Sequence, residues 1–305
     1  MKVRIGTRGS RLALVQSEQV AVALRAAGAE VEIVPIRTSG DRLADRALAD
    51  FGGKALFVKE IEEALLDRRV DVGVHSLKDL PASIPAGLTL AAYPAREDPR
   101  DALLSHSDGG LQGLPAGAAV GTSSLRRAVL VRLIRPDVVT RPIRGNVDTR
   151  VDKLRRGEYD ALVIAAAGLK RLGITWPRTT ALDPSRFIPA GGQGVLAVEA
   201  RGDDHALLDL LALLDDAGSR TEALAERAFL GRLEAGCHTP VAVHARLDGD
   251  AVAVSGLVAT RDAMRVLRGD VSGRARDAAA LGVALADDLL ARGARAILDA
   301  EEGLR

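Results

Sequence analysis

At 305 residues the chain exceeds a single typical domain, so two or three packed units are expected, each burying a core of its own. Its 42 basic and 41 acidic residues leave a net charge of +1, and an aromatic content of 2% leaves few stacking platforms, which argues against a nucleic-acid partner. No apolar run approaches the roughly 18 to 20 residues that span a bilayer, and Met1-Lys2 leads into Val3-Arg4-Ile5-Gly6 without a signal-peptide core, so no membrane contact and a cytoplasmic location are expected.

The first third alternates strand and helix signals. Residues 2–6 read as a short buried strand, 12–26 as an amphipathic helix that Ser10 is placed to cap, and 30–36 as an alternating strand. Residues 38–54 form a polar stretch without a core face and read as a mobile loop in the position of a lid, after which a helix resumes over 58–68. A strand over 70–74 is left through His75 to Pro81, where Pro81 forbids simple continuation. A second α/β unit starts near Asp101, after the Pro- and charge-rich segment 93–100. It carries strands over 118–121, 138–143 and 161–166, with helices over 125–134 and 147–156. The glycines at 191, 192 and 194 mark a return crossing, followed by a strand over 195–199 and a helix over 206–214. Such alternation implies mainly parallel sheets, whose ligands gather at the carboxyl ends of strands.

From Ser219 the pattern changes. Ser219 and Glu222 have capping-box spacing ahead of a helix over 221–233. Strands over 241–247, 251–258 and 264–271 follow, then a helix with Ala278, Leu281, Leu285 and Leu289 on one face. This is a small third unit of α+β type, with Gly236-Cys237-His238 in the loop between its first helix and first strand. The domains expected are thus 1–96 with 195–216, 97–194, and 217–305.

Chemistry-bearing residues are few. Cys237 is the only cysteine, which excludes an intrachain disulfide and a Cys-rich metal site; a lone cysteine is either an inert buried apolar residue or a functional thiol. The five histidines show no paired metal-ligand spacing. His75-Ser76-Leu77-Lys78-Asp79-Leu80-Pro81 sets an acid and a base just beyond a strand end, where catalysis is expected, although loop aspartates also cap and solvate. Every basic residue except Lys2, Lys54, Lys59, Lys78, Lys153 and Lys170 is arginine, whose planar fork pairs with carboxylates. Arg8-Gly9-Ser10, Gly121 through Arg127 and Arg144-Gly145-Asn146 each set Arg and small polar groups where a strand hands over to a helix. There they serve as anion sites or as simple caps with a solvated Arg. No phosphate-binding glycine motif is present, so carboxylates fit better than a nucleotide.

Taken together these segments resemble the porphobilinogen deaminase family over essentially the whole chain. Thr7-Arg8-Gly9-Ser10 with Leu12-Ala13-Leu14 is similar to the family's opening motif, Gly53 through Glu60 to its loop-to-helix segment, and His75 through Pro81 to its aspartate motif. Gly121 to Arg127, Ile143 to Arg150, Ala166 to Leu172 and Pro189 to Gly194 continue the series in order, and Glu234 through Pro240 is similar to the cofactor-attachment loop. Ala55, Ala235 and Asp148 depart from the pattern, and Asp148 beside Arg144 and Arg150 is expected to weaken carboxylate binding there.

The resemblance implies two periplasmic-binding-protein-like (type II) α/β domains with a cleft between them and a third, small α+β domain. It implies a monomeric transferase of tetrapyrrole and heme biosynthesis that condenses four molecules of porphobilinogen to hydroxymethylbilane, with a downstream uroporphyrinogen-III synthase as the plausible hand-off partner. Cys237 would hold a dipyrromethane cofactor through a thioether, and Asp79 would steady the cationic azafulvene formed as porphobilinogen loses ammonia. Lys78, Asp79, Thr122, Ser124, Arg126, Arg127 and Arg144 would hold the cofactor; Arg8, Ser10, Phe57, Arg144, Arg150 and Arg171 would hold the substrate, with Lys54 and Phe57 at the lid edge. The competing reading is a non-catalytic two-lobed carboxylate-binding protein, which gives no reason for a third unit bearing Cys237.

Overall fold

The computed structural model describes residues 1–38, 58–235 and 239–303. The lid stretch with Lys54 and Phe57, and the loop carrying Cys237, lie outside the described residues.

The first unit opens with β1 (Lys2–Arg8), α1 (Arg11–Ala26) and β2 (Glu30–Ile36), and continues with α2 (Lys59–Leu66), β3 (Val72–Ser76), a 3-10 turn (Leu77–Asp79) and β4 (Leu88–Ala92). The second contains β5 (Asp101–Ser105), β6 (Ala119–Gly121), α3 (Leu125–Ile134), β7 (Val139–Arg141), α4 (Val147–Arg155), β8 (Ala161–Ala165), α5 (Ala166–Leu172) and β9 (Thr179–Ala181). The chain then returns through β10 (Leu196–Arg201) and α6 (His205–Ala212). The third unit has α7 (Ala217–Leu233), β11 (Val241–Asp248), β12 (Ala251–Ala259), β13 (Val266–Arg274), α8 (Ala278–Ala291) and α9 (Ala294–Glu302).

Strand order is β2-β1-β3-β10-β4 in the first sheet and β7-β6-β8-β5-β9 in the second, the same plan twice. In each, the fourth strand comes from across the molecule and runs antiparallel to both neighbours, β10 between β3 and β4 and β5 between β8 and β9. The sheets are therefore mixed rather than mainly parallel, because each borrows a strand as the chain crosses between units. This is the expected architecture: two α/β units of periplasmic-binding-protein type II order and a small α+β unit. In the last, the antiparallel sheet β11-β12-β13 shares a core with the helices through Phe229, Val243, Val254, Leu285, Leu289 and Ile297.

Local signals explain most element ends. Ser10 caps α1, its Oγ accepting from Ala13 N at 3.3 Å, and Val20, Ala21 and Leu24 on the inner face join the core of the first sheet. The capping box at Ser219 and Glu222 does not form. α7 starts earlier, capped by Asp216 accepting from Ser219 N at 2.7 Å, while Ser219 Oγ accepts from Arg96 N and Glu222 pairs with Arg96 and Leu247 N. Tertiary donors took both side chains away from the local motif.

α8 crosses α7 closely at Gly282, where an added Cβ would stand 2.1 Å from the Ala225 carbonyl oxygen. Because that obstacle is backbone, Gly282→Ala must push two helices apart, and a loss of about 1–3 kcal/mol is expected. Urea unfolding reads this as a lower midpoint at unchanged slope; a wild-type midpoint would show that the helices are free to slide.

Candidate active site

β3 stops at Ser76, where the chain enters the 3-10 turn, the buried Leu77 and Leu80 pin that turn into the core, and Pro81 lacks the N–H to resume a ladder beyond it. Lys78 and Asp79 are left half-buried at the carboxyl end of β3, where Lys78 Nζ donates to Gln193 Oε1 at 3.4 Å. Gln193 belongs to the return crossing, so the turn of the first unit already touches the segment that leads back from the second. Gly192 and Gly194 flank it with φ of +77° and +88°, and a Cβ on Gly194 would meet the Glu97 carbonyl oxygen at 2.2 Å. The glycine cluster lets the two crossings lie against each other.

The second unit contributes a buried knot of charge. Asp101, the first residue of β5, is fully buried and accepts from Arg126 NH1 at 2.7 Å, Arg127 Nε at 2.9 Å and Gln193 Nε2 at 3.0 Å. Arg126 also donates to the Ile188 carbonyl and Arg127 to that of Val163. Burial by itself would raise the Asp101 carboxyl, but the Arg126 and Arg127 charges and the hydrogen bonds of Arg126 and Gln193 hold it well below the usual carboxylate range. Ser124 caps α3 by accepting from Arg127 N at 3.4 Å, and the buried Thr122 accepts from Ser124 N at 3.2 Å, so both serve first to shape the helix entry.

Positive charge exceeds negative around this knot. Burial, then Arg127, push the Lys78 ammonium down to about 8 against the opposing pull of Asp79 and Asp101. Burial and Arg127 likewise lower Arg150, which donates from Nε to the Gly145 carbonyl at 2.8 Å. Like-charged side chains gathered in a desolvated place attract an anion. Lys78, Arg126 and Arg127 thus lie within electrostatic reach of one another, Arg150 within reach of Arg127, and Asp79 within reach of Lys78. Arg171 donates instead to the Gly194 carbonyl at 2.8 Å and feels Glu97, which places it at the crossings. Arg8 ends β1 half-buried, and Arg144 is exposed on the loop before α4. Asp148 pairs with Arg11 at 2.7 Å rather than with Arg144 or Arg150.

Asp101, Gln193 and Gln16 were not singled out as site residues from the sequence. Gln16 is a buried amide on the inner face of α1 that donates to Ser76 Oγ at 2.9 Å, beside the aspartate turn. Two polar residues, Gln16 and Ser17, on the buried face of an amphipathic helix were the available signal.

The chain matches the family model "Porphobilinogen deaminase, dipyromethane cofactor binding domain" over residues 3–209 and "Porphobilinogen deaminase, C-terminal domain" over 220–291. It is 52% identical over 296 residues to a porphobilinogen deaminase of Roseiflexus sp. (strain RS-1), covering 96% of this chain and 97% of that relative. It is 47% identical over 300 residues to that of Maridesulfovibrio salexigens, covering 98% and 97%.

Replacing Asp101 by Asn leaves two buried guanidinium groups without their counter-charge, and a loss of about 3–5 kcal/mol at neutral pH is expected. The depressed carboxyl contributes stability that is present above its unfolded pKa of about 3.9 and is lost as pH falls below it. Urea unfolding should therefore separate Asp101→Asn widely from wild type at neutral pH, with the gap narrowing in acid. A gap independent of pH would show that shape rather than charge holds the knot.

Proposed function

The chain belongs to the porphobilinogen deaminase family, and we propose that it condenses four molecules of porphobilinogen, with loss of ammonia, into the linear hydroxymethylbilane of tetrapyrrole synthesis. In reaction class it is a transferase, acting as a cytoplasmic monomer whose product passes to a uroporphyrinogen-III synthase. Its working units are residues 1–96 with 195–216, 97–194, and 217–305, with the reaction between the first two.

The observation that carries this reading is the excess of desolvated positive charge on Lys78, Arg126, Arg127 and Arg150, with the Asp79 carboxyl within reach of Lys78. Each pyrrole ring of the substrate and of a dipyrromethane carries an acetate and a propionate. The residues present therefore fit such a cofactor: Lys78, Arg126, Arg127 and Arg144 would take its carboxylates, with Thr122 and Ser124 supporting, and Cys237 would hold it by a thioether. When bound, the cofactor supplies the nucleophilic pyrrole carbon to which substrate units are joined.

Asp79 steadies the positive charge that develops on porphobilinogen as ammonia leaves, and takes the proton that the new bond displaces. A carboxylate does this best where water is scarce, and the half-buried turn provides that setting. Arg8, Ser10, Arg144, Arg150 and Arg171, with Phe57, orient the incoming substrate by its carboxylates. Arg126 and Arg127 act with part of their donors committed to Asp101, so they present a fixed positive surface and move little.

Asp79→Asn keeps shape and removes charge, so kcat should fall about 100-fold or more while the cofactor stays attached. Near-normal turnover would refute the assignment. The denatured protein should exceed its sequence mass by two linked pyrroles and give colour with Ehrlich's reagent. Cys237→Ala should lose the added mass, the colour and the activity. A fully active protein of bare sequence mass would overturn the covalent-cofactor reading.

A further inference from the structure

Behind the aspartate turn lies a second cluster of ionisable groups that the chemistry above does not use. Glu199 on β10 is fully buried, and its Oε2 lies 3.0 Å from Nε2 of the buried His75 on β3. The bond spans the sheet diagonally: Glu199 stands opposite Gly73 in the register, and a Cβ on Gly73 would come within 2.8 Å of that same His75 nitrogen. The pairing of β10 with β4 shifts register between Val198 and Glu199, and such an irregularity re-aims a side chain. Glu199 Oε1 has no partner among the described residues.

Two further ionisable groups lie within electrostatic reach of this carboxyl, and Tyr93 acts on the second of them. From α2 comes Glu62, whose own carboxyl is raised by burial and then by Glu199, against the opposing effect of His75. From α7 comes Arg227, lowered by burial and supported by Tyr93 and Glu199; Tyr93, in the first crossing, is raised by burial and lowered by Arg227. Arg227 also donates to the carbonyls of Pro81 at 3.1 Å and Ala82 at 2.7 Å. His75 enters the turn that bears Lys78 and Asp79, and Pro81 and Ala82 leave it. The buried carboxyl thus bonds the entry through His75 and lies within electrostatic reach of Arg227, which bonds the exit.

We propose that Glu199 is a positioning residue for the Asp79 turn, holding its entry through the His75 hydrogen bond and lying within electrostatic reach of Arg227, which holds the exit by the carbonyls of Pro81 and Ala82. This rests on Asp79 being the group that acts on the substrate.

The holoenzyme with Glu199→Gln keeps the side chain's shape and loses its charge. We expect kcat to fall on the order of tenfold to a hundredfold with KM changed by no more than about twofold, because a small misplacement of a catalytic group costs rate rather than affinity. Hydrogen exchange of the amides of residues 77–80 should accelerate, a readout independent of turnover. Arg227→Gln should produce the same loosening from the other end and decides the matter if Glu199→Gln does not fold. Wild-type exchange of the turn with unchanged kcat, in either clamp variant, overturns the proposal. Accelerated exchange together with full activity of Asp79→Asn supports the clamp and sinks the role of Asp79 instead.

Discussion

The buried carboxylate of Asp101 is the contact on which the rest of the molecule depends. It sits where the chain first arrives in the second unit, and it accepts from Gln193, where the chain is about to leave. Gln193 Nε2 also donates to the Pro99 carbonyl at 2.8 Å, so the two crossings are joined to each other as well as to the carboxylate. Its other partners, Arg126 and Arg127, open α3. One negative charge against two positive ones fixes the crossings, orients the arginines and leaves a positive surplus facing Lys78. Replacing all three charged side chains by hydrophobic ones of similar volume would avoid the desolvation cost. It would supply no surplus, and the surplus is what an anionic substrate needs.

A second buried carboxylate ties in the third unit by the same device. Glu226 on α7 accepts from Arg96 NH1 at 2.9 Å, from Gly192 N at 2.5 Å and from Ala245 N at 2.8 Å. Arg96 lies in the outgoing crossing, Gly192 in the returning one and Ala245 in β11. Burial would raise Glu226, but Arg96 and His244 hold it low, while the same pairing keeps Arg96 raised despite its own burial. The helix that leads to the Cys237 loop is therefore fastened to the crossings at one charged node, in addition to the apolar contacts that Ala242, Leu257 and Ala259 make with the core of the second unit.

Much of this was legible in the sequence where the signal is local. The strand over 30–36 and the helix over 125–134 have the expected bounds, because alternation and capping act over a few residues. α5 was hidden because it continues directly from the buried strand β8 through an alanine run, and β9 because three exposed residues carry no pattern. At the site, the turn at Lys78 and Asp79 is visible as a motif. That Arg126 and Arg127 are buried was not, since their counter-charge Asp101 lies 25 and 26 residues away. His75 and Glu199 are separated by 124 residues, and only the borrowed strand β10 brings them together.

Asp148 shows how such long-range pairing changes the meaning of a residue. Beside Arg144 and Arg150 in the sequence, it looks like a negative charge spoiling a carboxylate site. In the folded chain it accepts from Arg11 at the start of α1, on the opposite unit, while Arg11 also donates to the Leu172 carbonyl at 3.2 Å. The pair is substantially exposed, so its contribution to stability is small, about 0.2–1 kcal/mol. Its electrostatic consequence is larger than its energy: the acid is neutralised by an arginine from outside the site, and Arg150 is lowered by burial and Arg127 rather than paired with a neighbouring carboxylate. The extra acid and the extra base cancel across the two units, and the positive surplus set up around Asp101 is left intact for the substrate.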